Sequence, residues 1–404
     1  MVKTVSPAGR DADSPQVAVD RRGNVLVVWS GFDGFHDRIM MRRISASGGL
    51  GPVRTLSAAH QDAIQPQVAF DANGNAYVVW IRFEPGSRWR VQIRRRSATG
   101  SLSPVHTLSA PGESGDPQVG VDREGNALVV WHGSGGGEHL IRFRRVSPAG
   151  VLGPIELLSQ RAGYAPQIAV DADGNALVVW QRFVGSSSRI ELRRRSPSGS
   201  LSAMQTLSAT GADANRPQLA MEDDGSAVVV WQRTGIGDRI QLRRRSAEGR
   251  LSAVQTVSAA GIDAFSPQVA LNASGNALVV WQGRETTHWR IQVRRQSTSG
   301  GLNAVQNLSP SALDAFLPQL AIDGANNAAI VWQQYDGISW SIKLRHRMSG
   351  GHLGQVQMLS PPGPRPQGTP VAIDAIRTAW AVWPHSGGSH FRIQASRADL
   401  GAYP

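Results

Sequence analysis

The sequence predicts an all-β fold, an eight-bladed β-propeller of four-stranded antiparallel blades, and three observations carry that expectation. The first is a period. A tryptophan closes the same apolar run at Trp29, Trp80, Trp131, Trp180, Trp231, Trp281, Trp332 and Trp383, at spacings of 51, 51, 49, 51, 50, 51 and 51 residues. A fixed internal period means that neighbouring units share a continuous core. The second is content. Each unit of roughly 50 residues has room for four short strands between Gly-rich turns, which is the pattern of a propeller blade. The third lies at the ends. The eighth unit stops after Phe391–Ser396, its third strand, while the chain begins with VKTVSPAG (Val2–Gly9), a match to VQTVSAAG at Val254–Gly261. The N-terminal segment is expected to supply the missing strand and close the ring, leaving no open sheet edge. One domain over residues 1–404 follows.

The fourth unit shows the elements in order. Pro166–Asp171 is the first strand; proline is tolerated at its entrance because the missing N–H falls outside the ladder. Asp171–Asn175 is a turn, with Gly174 free to take a positive φ. Ala176–Trp180 is the second strand. Its LVV is apolar at consecutive positions, so both faces are buried between neighbouring sheets. Arg189–Ser196 is the third strand, and Pro197–Gly199 turns the chain into a fourth at Leu201–Ser208. The first strand carries a small residue at one place in every unit, for example Ala18, Gly120 and Ala169, which suits crowding near the ring axis.

Composition narrows the rest. Hydrophobic residues make up 41% of the chain, and 44 Gly and 23 Pro fit many tight turns. There is no cysteine, which excludes disulfides and thiolate chemistry. No apolar run reaches the ~18 residues of a membrane span. MVKTVSPAGR has no hydrophobic h-region, so the protein is either cytoplasmic or follows a removed signal peptide; an extracellular or cell-surface location is the expectation. The net charge is +12, almost all of it arginine. Runs such as Arg94–Arg96, Arg193–Arg195 and Arg243–Arg245 raise polyanion binding. They recur around the whole ring rather than in one patch, so pairing with the turn Asp is expected instead, and nucleic acid is disfavoured as a partner.

PQIAVDADGNALVVW and RIQLRRRSAEG (Arg239–Gly249) resemble NHL-type propeller repeats in the apolar-Ala-Val-Asp-x-x-Gly-Asn turn and the Arg-Ile-Gln strand. The likeness covers all eight units. It departs in the longer period and in the Trp that ends the second strand where NHL repeats usually carry Asp. The chain looks closer still to repeat-rich bacterial propellers, often exported. The resemblance implies a propeller with a binding role and brings no catalytic residue.

Each candidate site competes with a structural reading. The Asp-x-x-Gly-Asn turn hints at calcium, but no distal Glu follows and the acid is lost at Asn272, while Arg377 replaces Gly in the last copy; a hairpin explains it, and no metal or cofactor is expected. The repeated Trp is expected in the core. The Gln at the first-strand entrance, from Gln16 to Gln319, is expected to satisfy backbone groups and channel water. Variation concentrates in the loops between second and third strands and between blades, which share one face. Just before the Arg-Ile of the third strand, successive units carry Asp37, Trp89, His139, Ser188, Asp238, Trp289, Trp340 and Phe391. Aromatics there suit sugar stacking or a protein hot spot, so Trp89, His139, Trp289, Trp340 and Phe391 are the expected ligand-binding residues. The competing reading is rings that cap the core. No nucleophile elbow or His metal motif is present. The expectation is a non-catalytic, monomeric binding propeller for a glycan or protein; the alternative is a polysaccharide lyase or hydrolase with a loop-face pair such as His139–Glu138 or His288–Glu285.

Overall fold

The computed structural model describes residues 2–400 except 87, 136, 186, 236, 286, 367, 374–377 and 387. The chain opens with β1 (Val2–Thr4), then builds blade 1 from β2 (Ala12–Val19), β3 (Val25–Phe32), β4 (Asp37–Ile44) and β5 (Leu50–Thr55), hydrogen-bonded in that order. Eight four-stranded antiparallel sheets form the propeller. The last comprises Val371–Ile373, Thr378–Ser386 and Phe391–Asp399, completed by β1, with Val2 opposite Ser396 and Thr4 opposite Gln394. The ring therefore closes as the terminal repeats predict.

The first turn is a local device. In blade 4, Asp171 Oδ1 accepts the N–H groups of Asp173 and Asn175, and Oδ2 accepts from Asn175 Nδ2 at 2.7 Å. Gly174 takes φ +81°. Both carboxylate oxygens are thus committed to the hairpin. The last copy, with Asp374 and Arg377, lies outside the described residues.

The packing between blades is repetitive. Trp29, Trp80, Trp131, Trp180, Trp231, Trp281, Trp332 and Trp383 are all at most 1% exposed. Each packs against the preceding blade; Trp80 lies with Leu26, Val28, Ile39 and Met41 of blade 1, and Trp29 with Trp380 and Val382 of blade 8. The crowding near the axis is plain at Gly120, where a Cβ would meet Val170 at 2.6 Å. A serine at the end of each fourth strand accepts the N–H that opens the core of the third. Ser57 does so for Ile39, Ser208 for Ile190, and Ser6 for Ile393 across the closure.

The arginines correct the expected Asp pairing. Arg193 donates Nε to Ser202 O of its own blade and Nη1 to Leu158 O of the preceding blade. Arg42, Arg94, Arg144, Arg243, Arg294 and Arg345 repeat this clamp. The guanidinium satisfies carbonyls that the fourth strand leaves unpaired. For the same reason Leu201–Ser208 is not one strand: only Gln205–Thr206 pairs, plus a bridge at Leu201. Arg194 reaches Asn175 Oδ1 rather than Asp171.

In blades 1–7 the first strand starts earlier than expected, at Gly163 in blade 4, because it takes a bulge before its proline; in blade 8 it is the short Val371–Ile373. The pre-proline residue turns to positive φ: Ser14 48°, Gln65 54°, Asp116 49°, Ala165 49°, Arg216 53°, Ser266 53° and Leu317 49°. Left-handed non-Gly residues cost about 1–3 kcal/mol and persist only where surroundings hold them. The bulge sets a variable residue at the same place on the loop face of seven blades.

Candidate functional site

The five expected residues lie at the start of the third strands, and for Trp89, Trp289, Trp340 and Phe391 the interblade loop caps the backbone N–H. Asp213 Oδ1 accepts the N–H of Ser188, Asp263 that of Asp238, Asp314 that of Trp289 and Asp11 that of Phe391. Trp89 and Trp340 donate instead to the carbonyls of Gly112 and Gly363. The backbone is thus held alike whether the side chain is Ser, Asp or an aromatic. Trp89, His139, Trp289, Trp340 and Phe391 are all half-buried.

Trp89 and His139 come together. They line a cleft of about 290 Å³ between blades 2 and 3, with Gln65, Glu113, Asp116 and His132. His132 Nδ1 lies 3.3 Å from Asp116 Oδ2, off the line of a hydrogen bond, and His139 Nε2 lies 3.3 Å from Glu113 Oε2. The two imidazoles meet edge-on at 5.3 Å, and each lies 5.3 Å from the Tyr164 ring. His132 lying against it holds the Asp116 carboxyl below the usual carboxylate range. Glycine makes this packing feasible: a Cβ on Gly115 would stand 2.5 Å from His132. Blades 1, 2 and 4–7 carry Asp13, Ile64, Tyr164, Asn215, Phe265 and Phe316 at that place.

The carboxylate partners differ from those expected. Glu138, beside His139 in sequence, is exposed, and His139 faces Glu113 from the interblade loop. His288 lies 3.4 Å from Asp314, while Glu285 binds Arg290, Gln292 and Asn307. Glu138 and His139 are adjacent on one strand and point to opposite faces; Glu285 stands opposite His288 across the hairpin but is taken up by Arg290, Gln292 and Asn307. Asp116, Glu113 and Tyr164 were not singled out from sequence; the signal that could have found them is Gly115 in a position otherwise occupied by larger side chains.

Trp289 and Trp340 belong to a different group. A run of rings crosses blades 6 and 7: Phe265–Trp289 at 5.3 Å, Trp289–Phe316 at 6.3 Å, Phe316–Trp340 at 5.5 Å and Trp340–Tyr335 at 4.9 Å. Arg284 lies 5.9 Å from the Trp289 ring, and Arg365 4.7 Å from that of Trp340. Phe391 stands apart and stacks on no ring among the described residues. The structure therefore divides the five between two sectors of the loop face and leaves one outside both.

No family model and no curated protein matches the chain. The NHL likeness accordingly rests on the quoted residues alone. Solved structures share the fold. The BP39L lectin from Burkholderia pseudomallei is 11% identical, with 87% of this chain and 100% of the lectin covered and a TM-score of 0.58. The polysaccharide lyase Uly1 is 11% identical over 86% of this chain and 93% of its own, with a TM-score of 0.53. An ulvan lyase bound to GlcA(1-4)Rha3S is 11% identical over 82% and 93%, with a TM-score of 0.51. The protein is an eight-bladed β-propeller related in structure to a lectin and to polysaccharide lyases. At such identities the likeness defines the fold, and function is argued from the site.

Proposed function

We propose that the protein is a carbohydrate-binding propeller that holds its ligand on the loop face, with the cleft between blades 2 and 3 as the principal site. The observation that carries this reading is the pairing of a half-buried indole, Trp89, with polar groups across an open cleft: Gln65, Asp116 and the two histidines. Sugars present an apolar C–H face that packs on an aromatic ring and hydroxyls that need carboxylate, amide or imidazole partners. The lectin and lyases among the structural neighbours support the reading. It also favours an extracellular or cell-surface location, where polysaccharide ligands are met; recovery of the native protein only from the cytoplasm would contradict that part. No helix among the described residues is long and apolar enough to cross a membrane.

The test is a glycan array followed by calorimetry on Trp89→Ala. Binding should fall by about tenfold or more, the scale of a lost hot spot. An array without hits, or unchanged affinity in the variant, removes the reading and leaves a protein partner on the same face.

A second reading has its own observation. His132 and His139 are each set against a carboxylate and share contacts with Tyr164 beside an open cleft, an arrangement that suits proton transfer. Depolymerisation of an acidic polysaccharide by the wild type, lost in His139→Ala, would make the site that of a lyase or hydrolase.

A further inference from the structure

We infer that blades 6 and 7 carry a second binding site, distinct from the cleft of blades 2 and 3, that takes an anionic sugar through the Trp289–Phe316–Trp340 rings and the guanidiniums of Arg284 and Arg365. The first ground is that the scaffold does not need these rings. The place held by Trp289 and Trp340 is filled by Ser188 in blade 4 and Asp238 in blade 5; both keep the backbone cap, blade 4 with the strand pairing carried through Ser188 and blade 5 with pairing out to Arg233–Arg239. The place held by Phe265 and Phe316 is filled by Asp13 and Asn215 elsewhere. The repeat is its own control: capping the blade ends is achieved without aromatics, so their concentration on two adjacent blades has another cause.

The second ground is the loop that brings Arg365. At five interblade connections an aspartate accepts the N–H that begins a third strand. Between blades 7 and 8 the segment Pro361–Pro366 replaces it. Gly363 exchanges both backbone hydrogen bonds with Trp340, at 2.8 and 2.9 Å. Arg365 sits between Pro364 and buried Pro366. Proline on both sides restricts the backbone before any ligand arrives, which lowers the entropic cost of using the side chain. The exposed guanidinium lies 4.7 Å from Trp340 and 5.8 Å from Phe316, with no carboxylate partner among the described residues. Arg284 is placed against Trp289 in a similar way, also with no carboxylate partner among the described residues. The nearby acids are committed elsewhere: Asp314 to the Trp289 N–H, Glu285 to Arg290 and Gln292.

The chemistry that matches is a ring face for stacking with an anionic group at its edge. A guanidinium stacked on an indole keeps its in-plane N–H donors free for the two oxygens of a carboxylate or sulfate. An uncharged sugar would use the rings and leave both cations idle.

The experiment is calorimetric titration with three probes: tetragalacturonate, its methyl ester, and a sulfated galactan tetrasaccharide. Wild type should bind at least one of the anionic probes about tenfold or more tightly than the ester, in keeping with charge-assisted hydrogen bonds. Which one separates carboxylate from sulfate recognition. Arg365→Gln, a change at an exposed side chain, should abolish that preference, and Trp340→Ala should weaken anionic and neutral probes alike. Trp89→Ala should leave the preference intact, so loss of the cleft in blades 2 and 3 and loss of this site are told apart. Equal binding of ester and anions, no binding of either anion, or an Arg365→Gln variant equal to wild type overturns the inference.

Discussion

Two positions in every blade behave in opposite ways. The serine that ends the fourth strand is present in all eight blades, and its hydroxyl meets the same third-strand N–H at 2.8–3.1 Å each time. Two residues before that N–H, the side chain is Asp, Trp, His, Ser, Asp, Trp, Trp or Phe. The blades fold alike across this range. A position that folding leaves free is where a ligand can set the residue, and this one lies on the loop face. The difference separates what holds the ring from what the ring displays.

The comparison can be broken most directly with tryptophans from the two sides. Trp180→Ala removes a fully buried indole and should lower stability by ~3–5 kcal/mol in denaturant unfolding. Ser208→Ala should cost about 1–3 kcal/mol, because the buried Ile190 N–H loses its acceptor. Trp89→Ala, half-buried on the loop face, should cost about 1 kcal/mol while affecting binding. If it destabilises as much as Trp180→Ala, the rings are core after all and the division fails. The smallest effect is acidic. Asp33 in blade 1 is held down to about 2 by the His36 N–H first, with Arg38 and the Phe35 N–H adding to it. A lowered carboxyl contributes stability that is complete above the unfolded value near 4 and disappears as pH falls toward 2. Wild type and Asp33→Asn should therefore differ at neutral pH and converge at about pH 2 in acid unfolding curves. Curves that stay apart below that point would show that the asparagine disturbs the turn itself.

The repeat made the fold legible. Period, strand content and the matching ends are all properties of sequence, and the ring with its closing strand is as they imply. The buried Trp were legible for the same reason. The candidate site was legible only as a position that varies from blade to blade, held by Trp89 and His139 in blades 2 and 3. Its carboxylates were not, because Glu113 reaches His139 from a loop whose neighbour is fixed by ring geometry. The arginine clamps were equally hidden: their acceptors are main-chain carbonyls, which any residue supplies. Arg365 was obscured by its proline-rich loop, which resembles no other connection.

The closing strand has a consequence for synthesis. Ser6 and Ile393, joined in the last blade, are 387 residues apart. At ~5–20 residues per second the ribosome needs roughly 20–80 s between making one and the other. Throughout that interval β1 is an unpaired edge, open to another chain emerging nearby. Its three residues are Val, Lys and Thr, short and charged at the centre, which is how edges are kept from recruiting the wrong partner. Lys3 is one of only two lysines in a chain that otherwise uses arginine, and it stands on the one strand that must wait.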